Sequence, residues 1–346
     1  MRMYEYVIRR LILSILVLFG VSVITFYLAR GFPGAISPWS SYINSRMTAQ
    51  QIQMVIHEHG FDQPLYIQYF YWLRDVFDGN WGQAGQWANG LPVYQVFMSR
   101  FPNTVELALV GVVLTVAVGL PLGIVSAVRN NKPVDHASRV FSLTGISTPT
   151  YWFGFLLQLV FFYYFFIWRL PYLPNRGVVS DSLQGAVTAF TGIPILDGLL
   201  NGNLNYFFDA VSHVILPAIT LSFTSLGALT RLVRASMLEV LRQDYITLAR
   251  SKGLLERVVI FRHALRNALI PALTVSGLLF AGLLGGAVVV EYVFSWPGVG
   301  WVSLQAVFQG DSNFLMLYSL VTAAIIVFAN LLVDILYAAV DPRIKY

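Results

Sequence analysis

The chain contains no cysteine, only three lysines and few charges of either sign: Asp, Glu, Lys and Arg make up 11% of its 346 residues. The missing cysteines exclude disulfides and thiolate metal sites. An ordinary soluble domain carries about 25% charged residues. With 57% hydrophobic residues, this chain has more apolar side chain than one core in water can bury, so lipid is the expected solvent. It also lacks a phosphate-binding loop, which would place Lys and then Ser or Thr after Gly-x-x-x-x-Gly. Lys132 lies between Asn131 and Pro133, Lys252 between Ser251 and Gly253, and Lys345 between Ile344 and Tyr346. ATP binding of the usual kind is therefore not expected of this polypeptide. The five histidines (His57, His59, His136, His213 and His263) are scattered, without the spacing of a catalytic triad or ligand set. In His57-Glu58-His59 the imidazoles stand at i and i+2 and do not share a helix face. Neither a metal nor a cofactor is expected, and a membrane-embedded enzyme is disfavoured. No internal repeat or low-complexity tract is visible.

What is abundant is long apolar runs. A membrane-spanning helix needs about 20 mostly apolar residues, and six segments qualify: 11–29, 104–128, 140–168, 212–233, 268–291 and 314–340. Each must be helical, because lipid offers no partners to backbone amides and carbonyls. The first run follows Arg2, Arg9 and Arg10 and is longer than the roughly 7–15 apolar residues of a secretory signal. It reads as a retained helix. Six spans return the chain to the side on which it started. Sixteen of the 22 Lys and Arg residues fall at the two ends and in 129–139 and 231–266. Arg30, Arg46, Arg74, Arg100, Arg169 and Arg176 lie on the other side. Positive loops stay in the cytoplasm, so both termini are expected there. The net charge of +5 is then a topology signal, and nucleic acid is not an expected partner. The expected fold is all-α and polytopic, one domain over 1–346. It comprises a first helix (1–30), an extracytoplasmic cap (31–103) and a five-helix core (104–346). Within the cap, Thr48–His57 reads as helix-like and is followed by an aromatic-rich run, Tyr66–Trp72.

The segment between spans four and five, inside loop 234–267, is the most informative. From Asp244 to Pro271 it reads as two short amphipathic helices broken at Gly253, whose freedom at positive φ suits a helix C-terminus. Glu256 falls in the first turn of the second helix, where a negative charge is favoured. Val258, Val259 and Phe261 give that helix an apolar side, and the surrounding arginines suit lipid phosphates or an acidic protein. On physical grounds alone, an arginine-anchored interfacial helix is as good a reading as a docking element.

Elsewhere, Asn330 and Asp334 share a face of the last span, and Glu291 lies near the outer end of the fifth. A place on a substrate path and a structural hydrogen bond both remain open for Asn330 and Asp334. For Glu291 the alternatives are an outer gate and a helix-end carboxylate. Gly119-x-Pro121-x-Gly123 and Gly282-x-x-x-Gly286 read as close helix packing, and Phe161–Phe166 as an interfacial aromatic belt. The spans hold almost no mid-membrane carboxylates, which disfavours an ion-coupled secondary transporter.

The stretch Ala249-Arg250-Ser251-Lys252-Gly253 followed by Arg262-His263-Ala264-Leu265-Arg266-Asn267-Ala268 and Pro271 resembles the cytoplasmic signature of ABC importer permeases. The likeness is to the peptide/nickel permease branch, first-permease type. Further segments resemble that family in order: Phe61–Leu65, Arg100–Ala108, Ser147–Trp152, Glu291–Gly298, and Asn330–Asp334 with Asp341-Pro342-Arg343. Only about 170–211 has no counterpart. The resemblance implies a non-catalytic permease subunit in a cell membrane, with loop 234–267 as the element that docks into an ATPase. Ala249, Arg250, Lys252, Gly253, Glu256, Arg257, Arg262 and His263 carry the coupling role. It further implies a second, homologous permease, two cytoplasmic ABC ATPases and an extracytoplasmic substrate-binding protein. The cargo it implies is di- or oligopeptides, with oligosaccharides or nickel as alternatives on the same architecture.

Overall fold

A computed structural model of the chain describes residues 3–31, 39, 42–43 and 46–340. Among them helices predominate and there is no β-strand beyond one isolated bridge, Gln83 to Pro92. The long helices are α1 (Met3–Arg30), α4 (Val93–Val128), α8 (Leu204–Leu241), α10 (Leu265–Val293) and α12 (Ser312–Val340). Shorter ones are α2 (Ala49–Glu58), α3 (Leu65–Phe77), α5 (Pro133–Ser147), α6 (Thr150–Ile167), α7 (Pro194–Leu200), α9 (Asp244–Ser251) and α11 (Val299–Gln309). Among the described residues, five stretches are long and apolar enough to cross a membrane: Ile8–Arg30, Val93–Val128, Thr150–Ile167, Leu204–Leu241 and Ser312–Leu331. The sixth expected span, 268–291, lies within α10, where many side chains are outside the described set.

The expected single span over 140–168 is two helices. Pro149 has no amide to donate and disfavours helical backbone at the residue before it. Thr148 is accordingly extended, at φ −85° and ψ 126°, and α6 begins after the break. Its middle, Leu159–Tyr164, widens into a π-helical turn.

Parallel helices α4 and α8 form the centre of the bundle. Thr104, Ala108, Gly111, Thr115, Gly119 and Gly123 make a buried stripe along α4 at helical spacing. In lipid, helices associate through close packing and not through water exclusion, so small residues at the seam are the means of contact. At Gly123 a Cβ would lie 2.7 Å from Val233 Cβ and 2.8 Å from the Thr230 carbonyl oxygen. The α5–α8 seam is as tight: a Cβ at Gly227 would meet the Ser142 carbonyl oxygen at 2.6 Å. Gly282, by contrast, has open space around it, so the small-residue face expected there is not a packing seam at that position.

Between α1 and α4 the described chain forms two short helices, α2 and α3. Thr48 and Gln51 form a reciprocal capping box at the start of α2. Phe26 of α1, Trp72 of α3 and Met316 of α12 pack together. The Arg30 guanidinium sits 5.1 Å above both the Phe26 and Phe61 rings, a cation–π clamp between α1 and the connection from α2 to α3. His57 Nδ1 lies 2.8 Å from Asp62 and His59 Nδ1 lies 3.1 Å from the Val55 carbonyl. Both histidines of the sequence triplet therefore serve the local fold.

Candidate functional site

The end of the bundle reached by the C-termini of α4 and α8 carries the segment singled out in the sequence. Helix α9 ends at Ser251, Lys252 caps it, and Gly253 at φ +76° reverses the chain. A single turn, Glu256–Val258, then widens into a π-helical turn over Val259–Ala264 and runs into α10. Ile246, Ala249, Val259, Ile260 and Ala264 are buried against Ile124, Leu229, Val233 and Met237. The back of the segment is thereby fixed to the central helix pair.

Its front is different. Leu248 is 56% exposed, Leu255 76% and Phe261 61%, with Tyr245 and Leu254 beside them. Arg250 spans the Gly253 reversal to pair with Glu256, at 2.7 Å from Nη2 and 3.2 Å from Nε. This two-point contact holds the Glu256 carboxyl below the usual carboxylate range and raises Arg250 further. Arg257 and Arg262 are exposed and His263 is half-buried. Asn267 donates to the Tyr245 hydroxyl at 2.8 Å.

Seven of the eight sequence candidates (Arg250, Lys252, Gly253, Glu256, Arg257, Arg262 and His263) thus lie on or beside one exposed apolar knob. Ala249 does not: it is buried in the chain's own packing. Sequence reasoning missed Leu254 and Leu255. Two leucines directly after a reversal glycine were the available signal.

A buried polar junction lies behind this segment. Asp135, at the start of α5, accepts from Ser126 Oγ (2.6 Å), Asn131 N (2.9 Å), Arg234 Nε (2.6 Å) and Arg234 Nη2 (3.0 Å). The Arg234 guanidinium, before the other donors, holds its carboxyl well below the ordinary range. One carboxylate therefore ties together α4, α5 and α8.

At the opposite end, Glu291 is fully buried. It accepts from Thr104 Oγ1 at 2.6 Å and from the Trp301 amide at 2.8 Å. Thr104 in turn accepts from the Val299 amide at 2.9 Å. The pair satisfies the otherwise unpartnered amides at the start of α11. Gly298 and Gly300 permit this: a Cβ at Gly298 would collide with the Glu291 carboxylate and the Thr104 hydroxyl. Trp296 Nε1 donates to the Asn103 carbonyl and Asn103 Nδ2 to the Pro297 carbonyl, both at 2.9 Å. Glu106, also buried, accepts from the Ile195 amide at 2.9 Å and anchors the 170–211 segment to α4. Asn330 is exposed on α12, away from the fully buried Glu291 junction, and the side chain of Asp334 lies outside the described residues. Among the described residues no three His, Cys, Asp or Glu side chains are grouped as a metal site would need.

Residues 119–346 match the model of the binding-protein-dependent transport system inner membrane component family. Residues 3–108 match that of the N-terminal region of such membrane components. The chain is 36% identical over 344 residues to the oligopeptide transport system permease protein AppB of Bacillus subtilis, covering 99% of this chain and 100% of that one. It is 42% identical over 333 residues to the probable D,D-dipeptide transport system permease protein DdpB of Escherichia coli, covering 95% and 94%. To the dipeptide transport system permease protein DppB of the same organism it is 36% identical over 346 residues, covering 99% of both.

Proposed function

The chain belongs to the binding-protein-dependent transport system inner membrane component family and is a permease subunit of an ABC importer, not an enzyme; from that premise we propose that it forms half of a translocation pathway for di- and oligopeptides. The peptide cargoes in the names of AppB, DdpB and DppB support that reading. A second permease of similar type supplies the other half of the pathway. Two cytoplasmic ATPases and an extracytoplasmic binding protein complete the machine. Six spans leave both termini in the cytoplasm, with α2, α3, α7 and α11 at the outer face.

The observation that carries the reading is the knob of Leu248, Leu254, Leu255 and Phe261: large apolar side chains on an exposed reversal whose back is packed rigidly. Exposed apolar patches rimmed by polar residues mark interaction surfaces. Leu254, Leu255 and Phe261 enter an apolar cleft on the ATPase, and Arg257, Arg262, Lys252 and His263 meet acidic groups at its rim. The Arg250–Glu256 pair braces the reversal, so displacement of the knob is transmitted through the Ile246, Val259 and Met237 packing to α4 and α8. ATP favours one arrangement of the ATPase pair, and the loops carry that bias into the bundle. The ligand acts by differential affinity for two states. At the outer end, Glu291 and Thr104 hold α11 across the pathway mouth as the supporting element of the outer gate.

Affinity-tagging this subunit, extracting native membranes gently and identifying co-purifying chains tests the assembly. A second six-span permease with phosphate-loop ATPases is the expected result. A chain that purifies alone in every gentle detergent contradicts it.

A further inference from the structure

A second feature of the inner end is independent of the knob. Helices α5 and α8 touch closely at Gly145–Phe223 and Ser142–Gly227, then part towards the basic end. They leave a cavity of about 190 Å³ lined by Ser138, Arg139, Leu143, Thr230, Arg231 and Arg234 among others. Three arginines line it, and one carboxylate, Asp135, meets two of them. Asp135 pairs with Arg234 at 2.6 Å and stands 3.6 Å from Arg139, whereas Arg231 is exposed with no carboxylate partner among the described residues. Arg139 Nε is enclosed and has no hydrogen-bond acceptor. Positive charge is therefore in excess. Leu143 in the lining and Val140, one turn before it on α5, are 56% and 64% exposed.

We propose that this cleft binds an anionic phospholipid. Its phosphate lies between Arg139 and Arg231, and an acyl chain lies along Val140 and Leu143. Its lining residues Thr230, Arg231 and Arg234 lie near the basic end of the apolar Leu204–Leu241 stretch, which places the cavity towards the inner membrane surface. Basic pockets between membrane helices suit such headgroups. The volume equals the liquid share of about six waters, enough for a phosphoglycerol group. The assignment rests on the reading of this end as a membrane interface and not on the ATPase docking.

The test uses the purified importer with its partner subunits, delipidated and reconstituted in nanodiscs of phosphatidylethanolamine with or without phosphatidylglycerol. Retained lipid is counted by native mass spectrometry. Phosphatidylglycerol should be retained over phosphatidylethanolamine by about tenfold or more. The double substitution Arg139→Gln/Arg231→Gln should abolish that preference, and so should Leu143→Trp, which fills the cavity without removing charge. Arg176→Gln, on the opposite end, should leave it intact. Glycerol phosphate at millimolar concentration should not displace the lipid. Equal retention of the two lipids overturns the proposal, as does a preference unchanged in both cavity variants. Full displacement by glycerol phosphate makes the cleft a simple anion site and overturns the lipid assignment. The same spectra report bound ATPase chains, so loss of the lipid with ATPases retained counts against this inference alone.

Discussion

Asp135 offers the most quantitative test of how the loop is tied to the bundle. Its buried carboxylate accepts four hydrogen bonds from three segments. Asp135→Ala strips the buried Ser126 hydroxyl and the Arg234 guanidinium of their main acceptor. Removing one member of a buried ion pair costs about 3–5 kcal/mol. Arg234 is 20% exposed and also donates to Asn130 at 3.1 Å, which puts the expected cost near the lower limit, about 3 kcal/mol. For a chain this long that lowers the midpoint of thermal unfolding in detergent by roughly 5 °C. Asp135→Asn keeps the size and one acceptor and should lie between alanine and the wild type. The double variant Asp135→Leu/Arg234→Met should regain most of the loss, since no unpaired charge is left behind. The pH dependence follows from the sign of the shift. The folded-state pKa is depressed, so the stabilisation is complete above the ordinary value near 3.8 and is lost as pH falls below it. Between pH 5 and 8 the difference between wild type and Asp135→Ala should be constant. An alanine variant that unfolds with the wild type, or a double variant no better than the single, would show that the Asp135–Arg234 pair does not hold these helices together.

The remaining predictions concern the two ends of the bundle. Gly253→Val puts a β-branched residue at φ +76°, at a cost of about 1–2 kcal/mol. Because the site is open, the bundle should stay folded while ATP hydrolysis per substrate imported, measured in proteoliposomes, rises. The Arg250–Glu256 pair is about half exposed, so Arg250→Glu should lower stability by less than about 1 kcal/mol. It should nevertheless impair uptake, and the charge reversal Arg250→Glu/Glu256→Arg should restore uptake in the same vesicles. Gly298→Ala drives a methyl group into the Glu291 carboxylate and Thr104 hydroxyl. It should loosen α11, visible as faster amide hydrogen exchange over 299–303.

Much of the fold was legible because lipid imposes helix on every apolar run and arginines mark one set of loops. The reversal at Gly253 was legible for a local reason: a glycine follows an amphipathic stretch and a glutamate opens the next. Other features depend on partners far away in sequence. Nothing near Asp135 announces Arg234, 99 positions on, and nothing near Glu291 announces Thr104, 187 positions back. The break between α5 and α6 did have a local signal, Thr148-Pro149, which the continuous apolar run obscured. The candidate list for the loop favoured charged and motif residues. It therefore included Ala249, which is packed inward, and missed Leu254 and Leu255, whose exposure becomes evident only in three dimensions.

Docking of the knob after Gly253 into an ATPase can be observed directly. The chain has no cysteine of its own, so Leu255→Cys supplies a single reactive position. A short-armed photo-crosslinker attached there and activated in native membranes reports directly on what the knob touches. The expected product is an adduct with a phosphate-loop ATPase chain that changes in yield when ATP is trapped. Adducts with lipid alone, or with an extracytoplasmic protein, would contradict it.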